Sequence, residues 1–263
     1  MLILLNLFQF GNRSKQQFNH QFSNPYLCPR MKQEEQTIFT EGQVILVDKP
    51  LEWTSHDVVA KVRSTIRIKK VGHAGTLDPL ATGLLILCTG KFTKRINEYQ
   101  AREKEYTGTF TIGAVTPTYD LESEPEQQTD YSFVTEELIH ATTNQFTGDI
   151  MQVPPTHSAI KQKGKPVYLL ARKGVDVVLE PRPLHIAAFE ITKIELPILH
   201  FRVVCSTGTY IRSLAHDYGK ALGCGAYLSS LRRTRIGEFT TEQARTLPDT
   251  LAWIKEVKEG FES

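Results

Sequence analysis

The chain has 263 residues, with 31 Lys and Arg against 29 Asp and Glu, 40% hydrophobic residues and 23% charged ones. That composition supports one substantial core and excludes a disordered, collagenous or disulfide-stapled chain. The net charge of +2 comes from the first 30 residues, where Arg13, Lys15 and Arg30 stand without an acid, and the remainder holds 28 basic and 29 acidic residues. Attraction to a polyanion therefore has to come from local patches.

Met1–Phe10 is apolar, but it lacks a basic n-region, is shorter than a membrane span, and leads into the Asn- and Gln-rich stretch Gly11–Arg30. A secretory signal is not expected. Met31 opens the run Lys32-Gln33-Glu34-Glu35 just ahead of the first strand pattern. Met31 is accordingly the predicted start, with 1–30 an over-extended reading frame or a disordered tail and 31–263 a single domain. Mass spectrometry of the natural N-terminus tests this, and intact Met1 refutes it. No later apolar run reaches 18 residues, so a cytoplasmic protein without a membrane partner is expected.

Val44–Val47 reads as a strand closed by Lys49-Pro50, since proline must leave the ladder. Thr54-Ser55 offers an N-cap with Asp57 in the first turn, ahead of the helical spacing Val58, Val59, Val62 and Ile66. Gly72–Gly83 is expected to be a long loop, followed by the strand Leu84–Thr89. Tyr106–Ile112 alternates apolar residues with threonines, the period of a half-buried strand. Thr135–Phe146 is predicted helical, and Val167–Lys173 a short helix stopped by Gly174. Leu184–Leu196 and Leu199–Ser206 read as adjacent strands. Tyr210–Leu222 puts Ile211, Leu214, Ala215, Tyr218 and Leu222 on one helical face, with Gly223 at its end. Ala226–Phe239 returns to strand, and Thr241–Val257 is helical in one or two pieces. Without a regular βαβ alternation, the expected class is α+β, with a central mixed, largely antiparallel sheet flanked by helices and loops.

Cys28, Cys88, Cys205 and Cys224 lack C-x-x-C spacing, and Cys88 and Cys205 end apolar runs, so core thiols are expected. The eight histidines show no metal-ligand pairing, so no metal is predicted. Basic residues cluster locally. Lys61, Arg63, Arg67, Lys69 and Lys70 form one group, Lys161, Lys163, Lys165, Arg172 and Lys173 a second, and Arg232, Arg233 and Arg235 a third. Asp120–Glu137 carries seven acids and no base. A single basic run is usually a solvated face. Three runs beside glycine-bearing loops point toward a phosphate backbone, with Lys61, Arg63, Lys69, Lys161, Lys165, Arg232 and Arg233 as the candidate contacts.

Gly72-His73-Ala74-Gly75-Thr76-Leu77-Asp78-Pro79-Leu80-Ala81-Thr82-Gly83 carries the most chemistry. Its glycines allow close backbone approach, and Pro79 restricts Asp78 to an extended conformation that fixes where the carboxylate points. A nucleotide-binding P-loop fails on spacing, because six residues separate Gly83 from Gly90 and Phe92 stands where a hydroxyl is needed.

This stretch resembles the catalytic motif of the bacterial tRNA pseudouridine-55 synthase family, TruB. The resemblance continues in order through Asp48-Lys49-Pro50, Lys104-Glu105-Tyr106, Thr116-Pro117-Thr118-Tyr119-Asp120, Pro154-Pro155 with Ser158, and Gly164-Lys165-Pro166. It goes on through Cys205-Ser206-Thr207-Gly208-Thr209-Tyr210-Ile211-Arg212 and Leu231-Arg232-Arg233. It implies the pseudouridine synthase fold and isomerisation of a T-loop uridine in tRNA, with no cofactor and no guide RNA. By the same resemblance Asp78 is the nucleophile, attacking the sugar C1′ or the uracil C6. Arg212 pairs with Asp78, and Tyr106 stacks on the base and helps move the C5 proton. His73 occupies the region that the flipped uridine leaves, Tyr210 and Leu231 line the base pocket, and Asp120 organises the surroundings of Arg212.

Without the motif, Arg212 reads as a structural ion-pair partner, Tyr106 and Leu231 as core, and Asp120 as surface charge. The chain departs from the family at Glu52, where glycine is usual, and at His157, where an aromatic is usual. It also runs only a short way past Leu251, so a short form lacking the C-terminal RNA-binding PUA domain is expected, and a monomer. A tRNA-folding chaperone that opens the elbow without chemistry, and a synthase for another RNA, are the alternative readings.

Overall fold

A computed structural model describes residues 38–156, 161–162, 165–166 and 179–262. The proposed start at Met31, Cys28, the helix expected over 167–173, His157 and the side chains of Lys161 and Lys165 lie outside the described residues.

A short helix α1 (Ile38–Glu41) leads to strand β1 (Val44–Lys49), whose alternation buries Ile45, Val47 and Lys49. Helix α2 (Ser55–Ile66) starts where its cap requires: the Thr54 hydroxyl accepts from the Asp57 N–H, and the Asp57 carboxylate accepts from the Thr54 N–H at 3.0 Å. Its buried face is the predicted Val58, Val59, Val62 and Ile66. Strands β2 (Val71–His73) and β3 (Ala81–Thr89) follow, then a 3-10 turn (Gly90–Arg95), α3 (Ile96–Gln100) and β4 (Lys104–Ile112). Helix α4 (Glu136–Thr143) is capped by Thr135, and β5 (Gly148–Gln152) precedes a two-stranded ribbon of β6 (Lys161–Gln162) and β7 (Lys165–Pro166). The antiparallel pair β8 (Arg182–Glu195) and β9 (Ile198–Cys205) is followed by helix α5 (Ile211–Leu222), which ends on Gly223 at φ 86°. Strands β10 (Ala226–Ile236), β11 (Phe239–Thr240) and β12 (Arg245–Thr246) and helix α6 (Leu247–Glu262) complete the described chain.

Ten strands form one sheet, with the path β12-β1-β3-β10-β4-β9-β8-β5 and with β2 and β11 attached to β3 and β10. Only β1 with β12 and β3 with β10 run parallel among the described pairs, so the expected mixed, largely antiparallel α+β architecture is present. One core lies between the sheet and α4 and α5, where Phe110, Phe189, Phe201 and Tyr218 pack together and the Tyr218 hydroxyl donates to the Ile139 carbonyl at 2.8 Å. A second core joins α2 and α6 to β1 and β3. Cys88, Cys205 and Cys224 are buried free thiols. Among the described residues no helix is long and apolar enough to cross a membrane.

Two expectations are corrected. The Gly72–Gly83 segment is not one long loop: β2 and β3 pair antiparallel, Val71 opposite Thr89 and His73 opposite Leu87, leaving only 74–80 as the connection. Glycine content argues for a loop locally, but here it permits tight strand packing. The strand expected from Ala226 to Phe239 turns back at Gly237 into the β10–β11 hairpin.

Candidate active site

The 74–80 connection is held from four directions. The Ala74 N–H donates to the Ile86 carbonyl at 2.9 Å. Ser55, the first residue of α2, accepts from the Leu77 N–H at 2.8 Å, and its hydroxyl also lies 3.1 Å from the Leu77 carbonyl. The Pro79 carbonyl accepts from the Glu52 N–H at 2.9 Å and from the Lys49 ammonium at 3.3 Å. Arg233 donates to the carbonyls of Gly75 at 3.1 Å and Thr76 at 3.5 Å. With its neighbours fixed, Asp78 has few freedoms left, and its carboxylate meets Arg212 Nε at 2.9 Å.

Arg212 lies in the first turn of α5, and its side chain is 6% exposed. The helix start is clamped by β5: Gln152 accepts from the Tyr210 N–H at 2.9 Å and donates to the Tyr210 carbonyl at 3.1 Å. The Ser213 hydroxyl donates to the Val153 carbonyl at 2.9 Å. On its other side Arg212 faces Asp120 at 3.5 Å and donates to the Thr118 carbonyl at 3.4 Å. Asp120 is buried, so the surface-charge reading of it does not hold.

A cavity of about 350 Å³ opens over this pair, within the range of roughly 300–1,000 Å³ usual for small-molecule sites. Asp78, Tyr106, Tyr210, Arg212, Leu231 and Arg233 all line it, with Lys104 and the 206–209 loop on the far wall. Five of the six catalytic and substrate-binding residues named from sequence thus meet in one place. The sixth, His73, sits half-buried on β2 outside the lining, and its Nδ1 has no hydrogen-bond partner.

Burial sets the electrostatics. It pushes the Asp78 carboxyl above the usual range; Arg212 opposes that rise and Asp120 adds to it. Burial likewise raises the Tyr106 phenol against the pull of Arg233. Lys104 is lowered to about 8 by burial and then by the Arg233 charge, while its ammonium donates to the Gln100 carbonyl at 2.5 Å and the Arg102 carbonyl at 2.6 Å. Lys49 is also lowered to about 8 by burial, opposed by Asp78. His73 is lowered by burial and then by Arg233. Three cations on the cavity wall against Asp78 leave a positive surplus suited to a nucleotide phosphate.

The backbone contacts expected of the basic runs divide. Lys61 and Lys69 are exposed and Arg63 is half-buried. Arg232 is engaged with Asp48 through paired bonds of 3.0 and 2.7 Å, which fixes its direction on the opposite face of β10. Arg233 is corrected outright: at 1% exposure it is buried, donating to the carbonyls of Leu84, Gly75 and Thr76, and is no surface contact. Strand alternation carried the signal, because on β10 Leu231 and Arg233 share one face and Arg232 takes the other. Lys49, Lys104 and Gln152 were not singled out as site residues; a lysine in an alternating apolar strand position marks the first two.

A profile of the TruB family pseudouridylate synthase N-terminal domain matches residues 63–211, and one of the tRNA pseudouridylate synthase B C-terminal domain matches residues 212–262. The chain is 54% identical over 213 residues to the tRNA pseudouridine synthase B of Flavobacterium johnsoniae, covering 78% of this chain and 93% of that protein. It is 49% identical over 222 residues to that of Phocaeicola vulgatus, covering 82% and 94%. For that of Chloroherpeton thalassium the identity is 46% over 228 residues, covering 85% and 95%. Among solved structures, a chain from a Cbf5-Nop10-Gar1 complex superposes with a TM-score of 0.65 at 33% identity, over 84% of this chain and 57% of that one. A chain of an H/ACA RNP bound to a substrate RNA containing 2′-deoxyuridine gives 0.63 at 31%, over 84% and 56%. This chain therefore spans little more than half the length of those two.

Proposed function

This chain belongs to the TruB family of pseudouridylate synthases, and from that premise we propose that it converts uridine 55 in the T loop of tRNA to pseudouridine, with Asp78 as nucleophile. The observation that carries the reading is the Asp78–Arg212 pair at 2.9 Å on the wall of a cavity of nucleoside size.

The cavity has room for one nucleoside and not for a stacked loop, so the uridine leaves the loop before it reacts. Tyr106, on the cavity wall from β4, offers its ring to the base, and Leu231 and Tyr210 bound the same space. Asp78 attacks C1′ or C6, the N1–C1′ glycosidic bond breaks, the base turns, C5 joins C1′, and the bond to Asp78 breaks to return the free carboxylate. The C5 proton leaves and N1 gains one, so atoms and electrons balance without an external reactant. Arg212 keeps the carboxylate aimed at the cavity and stabilises its charged form against the burial that raises it. Lys104 and Arg212 on the cavity wall, with the buried charge of Arg233 behind them, offset Asp78 and leave a positive field for the phosphates that accompany the flipped nucleotide.

The substrate is tRNA, taken by this chain alone without a guide RNA. The support is coverage: it spans 93 to 95% of relatives named tRNA pseudouridine synthase B. Mapping pseudouridine in the RNA of a strain lacking this gene tests the reading. Loss of the modification at tRNA position 55, restored by the wild-type chain, is expected. An unchanged position 55, or loss confined to another RNA, overturns it.

A further inference from the structure

Tyr119 is a bulky residue in the left-handed region, at φ +65°, where its Cβ crowds its own backbone. Such strain persists only where the surroundings hold it. The turn at Tyr119 decides how its two neighbours face Arg212. The Thr118 carbonyl accepts from Arg212 at 3.4 Å, and the Asp120 carboxylate lies 3.5 Å from Arg212 Nε. The backbone of Tyr119 is pinned on both sides: its N–H donates to the Thr116 carbonyl at 3.1 Å, and its carbonyl accepts from the Leu228 N–H of β10 at 2.9 Å. Asp120 Oδ1 is taken by the Glu122 N–H at 3.0 Å, and Oδ2 is the oxygen that faces Arg212.

The side chain of Tyr119 is held by α5. His216 stands one turn after Arg212 on the same face of that helix. Its ring stacks on the Tyr119 ring, with centroids 4.0 Å apart and planes 18° from parallel. One helix face therefore meets one turn twice, through a guanidinium and through a stacked ring. His216 Nδ1 is buried without a hydrogen-bond partner, a cost that a phenyl ring in its place would not carry. Burial lowers the imidazole below its ordinary value, opposed by Asp217 and helped by Lys220, so the ring stacks uncharged at neutral pH.

Resting on the reading of Asp78 as nucleophile and Arg212 as its partner, we propose that His216 is a positioning residue: its stack on Tyr119 holds the strained turn that presents Thr118 and Asp120 to Arg212, and so keeps the guanidinium aimed at Asp78.

The test uses the full chain and a T-arm hairpin carrying 5-tritiated uridine, with tritium release and hairpin affinity measured separately. His216→Ala is expected to lower kcat by about 5- to 50-fold while the hairpin Kd stays within about threefold, because the aim of a buried group is lost and RNA contact is not. His216→Phe, which restores a stacking ring, returns kcat to within about threefold of wild type. Tyr119→Asn removes the stack from the other side with a residue that tolerates the left-handed region, and a similar loss in kcat is expected. Combining Tyr119→Asn with His216→Ala costs no more than about twofold beyond the larger single loss, since both remove one contact. A Phe variant no better than Ala, a Kd that weakens as far as kcat falls, or fully multiplicative losses overturn the proposal. Wild-type kcat in Tyr119→Asn overturns it even where the His216 variants do not fold. Asp78→Asn separates the levels. Turnover in that variant removes the catalytic reading itself, whereas an inactive Asp78→Asn beside wild-type kcat in His216→Ala removes only the positioning role.

Discussion

Gly83 is the residue at which strand packing and site geometry meet, and Gly83→Ala perturbs both. Its φ is +100°, and a Cβ built there would sit 2.3 Å from the Arg233 carbonyl oxygen and 2.8 Å from its nitrogen. Ordinary contact begins near 3.4 Å, so β3 and β10 must part by about 1 Å where Ala81, Thr82 and Gly83 pair with Leu231, Arg232 and Arg233. The obstacle is backbone, which cannot swing aside. The positive φ costs roughly 1–2 kcal/mol and the overpacking roughly 1–3 kcal/mol, together about 2–5 kcal/mol against a usual stability of about 5–15 kcal/mol. A shift of about 1 Å in the Arg233 backbone also displaces the Asp78 loop, which is worth about 100-fold in turnover. Urea unfolding followed by circular dichroism and tritium release from the hairpin measure the two effects. Gly148→Ala is the control: its φ is +92° with nothing within 4 Å, so it pays only the conformational cost of about 1–2 kcal/mol. Equal urea midpoints for the two variants, or wild-type turnover in Gly83→Ala, would refute the packing argument.

Glu52 adopts φ +65°, and its N–H already holds the Pro79 carbonyl. Glu52→Gly keeps that bond, removes a left-handed penalty of about 1–2 kcal/mol and adds unfolded-state entropy worth about 0.4–1 kcal/mol. A melting temperature raised by about 1–3 °C with unchanged turnover is expected, and a lowered one contradicts the account. Burial holds the Asp78 proton to a higher pH than in the unfolded chain. Its contribution to stability is therefore complete below the ordinary aspartate value near 3.9 and is lost as pH rises through the raised native value. The reaction needs the ionised form, so kcat/KM falls on acidification at a pH above that ordinary value. Asp120→Asn removes a charge that raises Asp78 and moves the acid limb down; a limb that moves up contradicts the assignment. Arg232→Gln breaks the half-exposed pair with Asp48 and lowers stability by no more than about 1 kcal/mol in urea titration. A loss several times larger would show that the pair is more than a surface contact.

Much of this was legible from sequence because the signals were local. The Thr54 and Asp57 cap fixed the start of α2, and Gly223 fixed the end of α5. The threonine alternation located β4, with Tyr106 on its buried face. The site residues Asp78, Arg212 and Tyr106 came from an ordered set of motifs whose spacing no single element explains. What was misread depends on partners far away in the chain. Gly72 and Gly83 look like loop residues until β2 and β3 are seen to pair, and Gly83 is tolerated in a strand because β10 approaches it so closely. Arg233 looks like surface charge because basic triplets usually are. Only the Tyr106 and Gly83 rows on either side of β10 make its burial necessary. The part Lys49 plays in holding the Asp78 loop is hidden for the same reason: its acceptors include the Trp53 and Pro79 carbonyls, and the latter lies 30 residues away.

The central claim is that Asp78 performs the chemistry. Tritium release from the T-arm hairpin by Asp78→Asn, which preserves size and removes the ionised oxygen, tests it most directly. The account predicts release below detection with hairpin binding retained. Turnover near the wild-type rate, or a variant that loses binding as fully as activity, would contradict it.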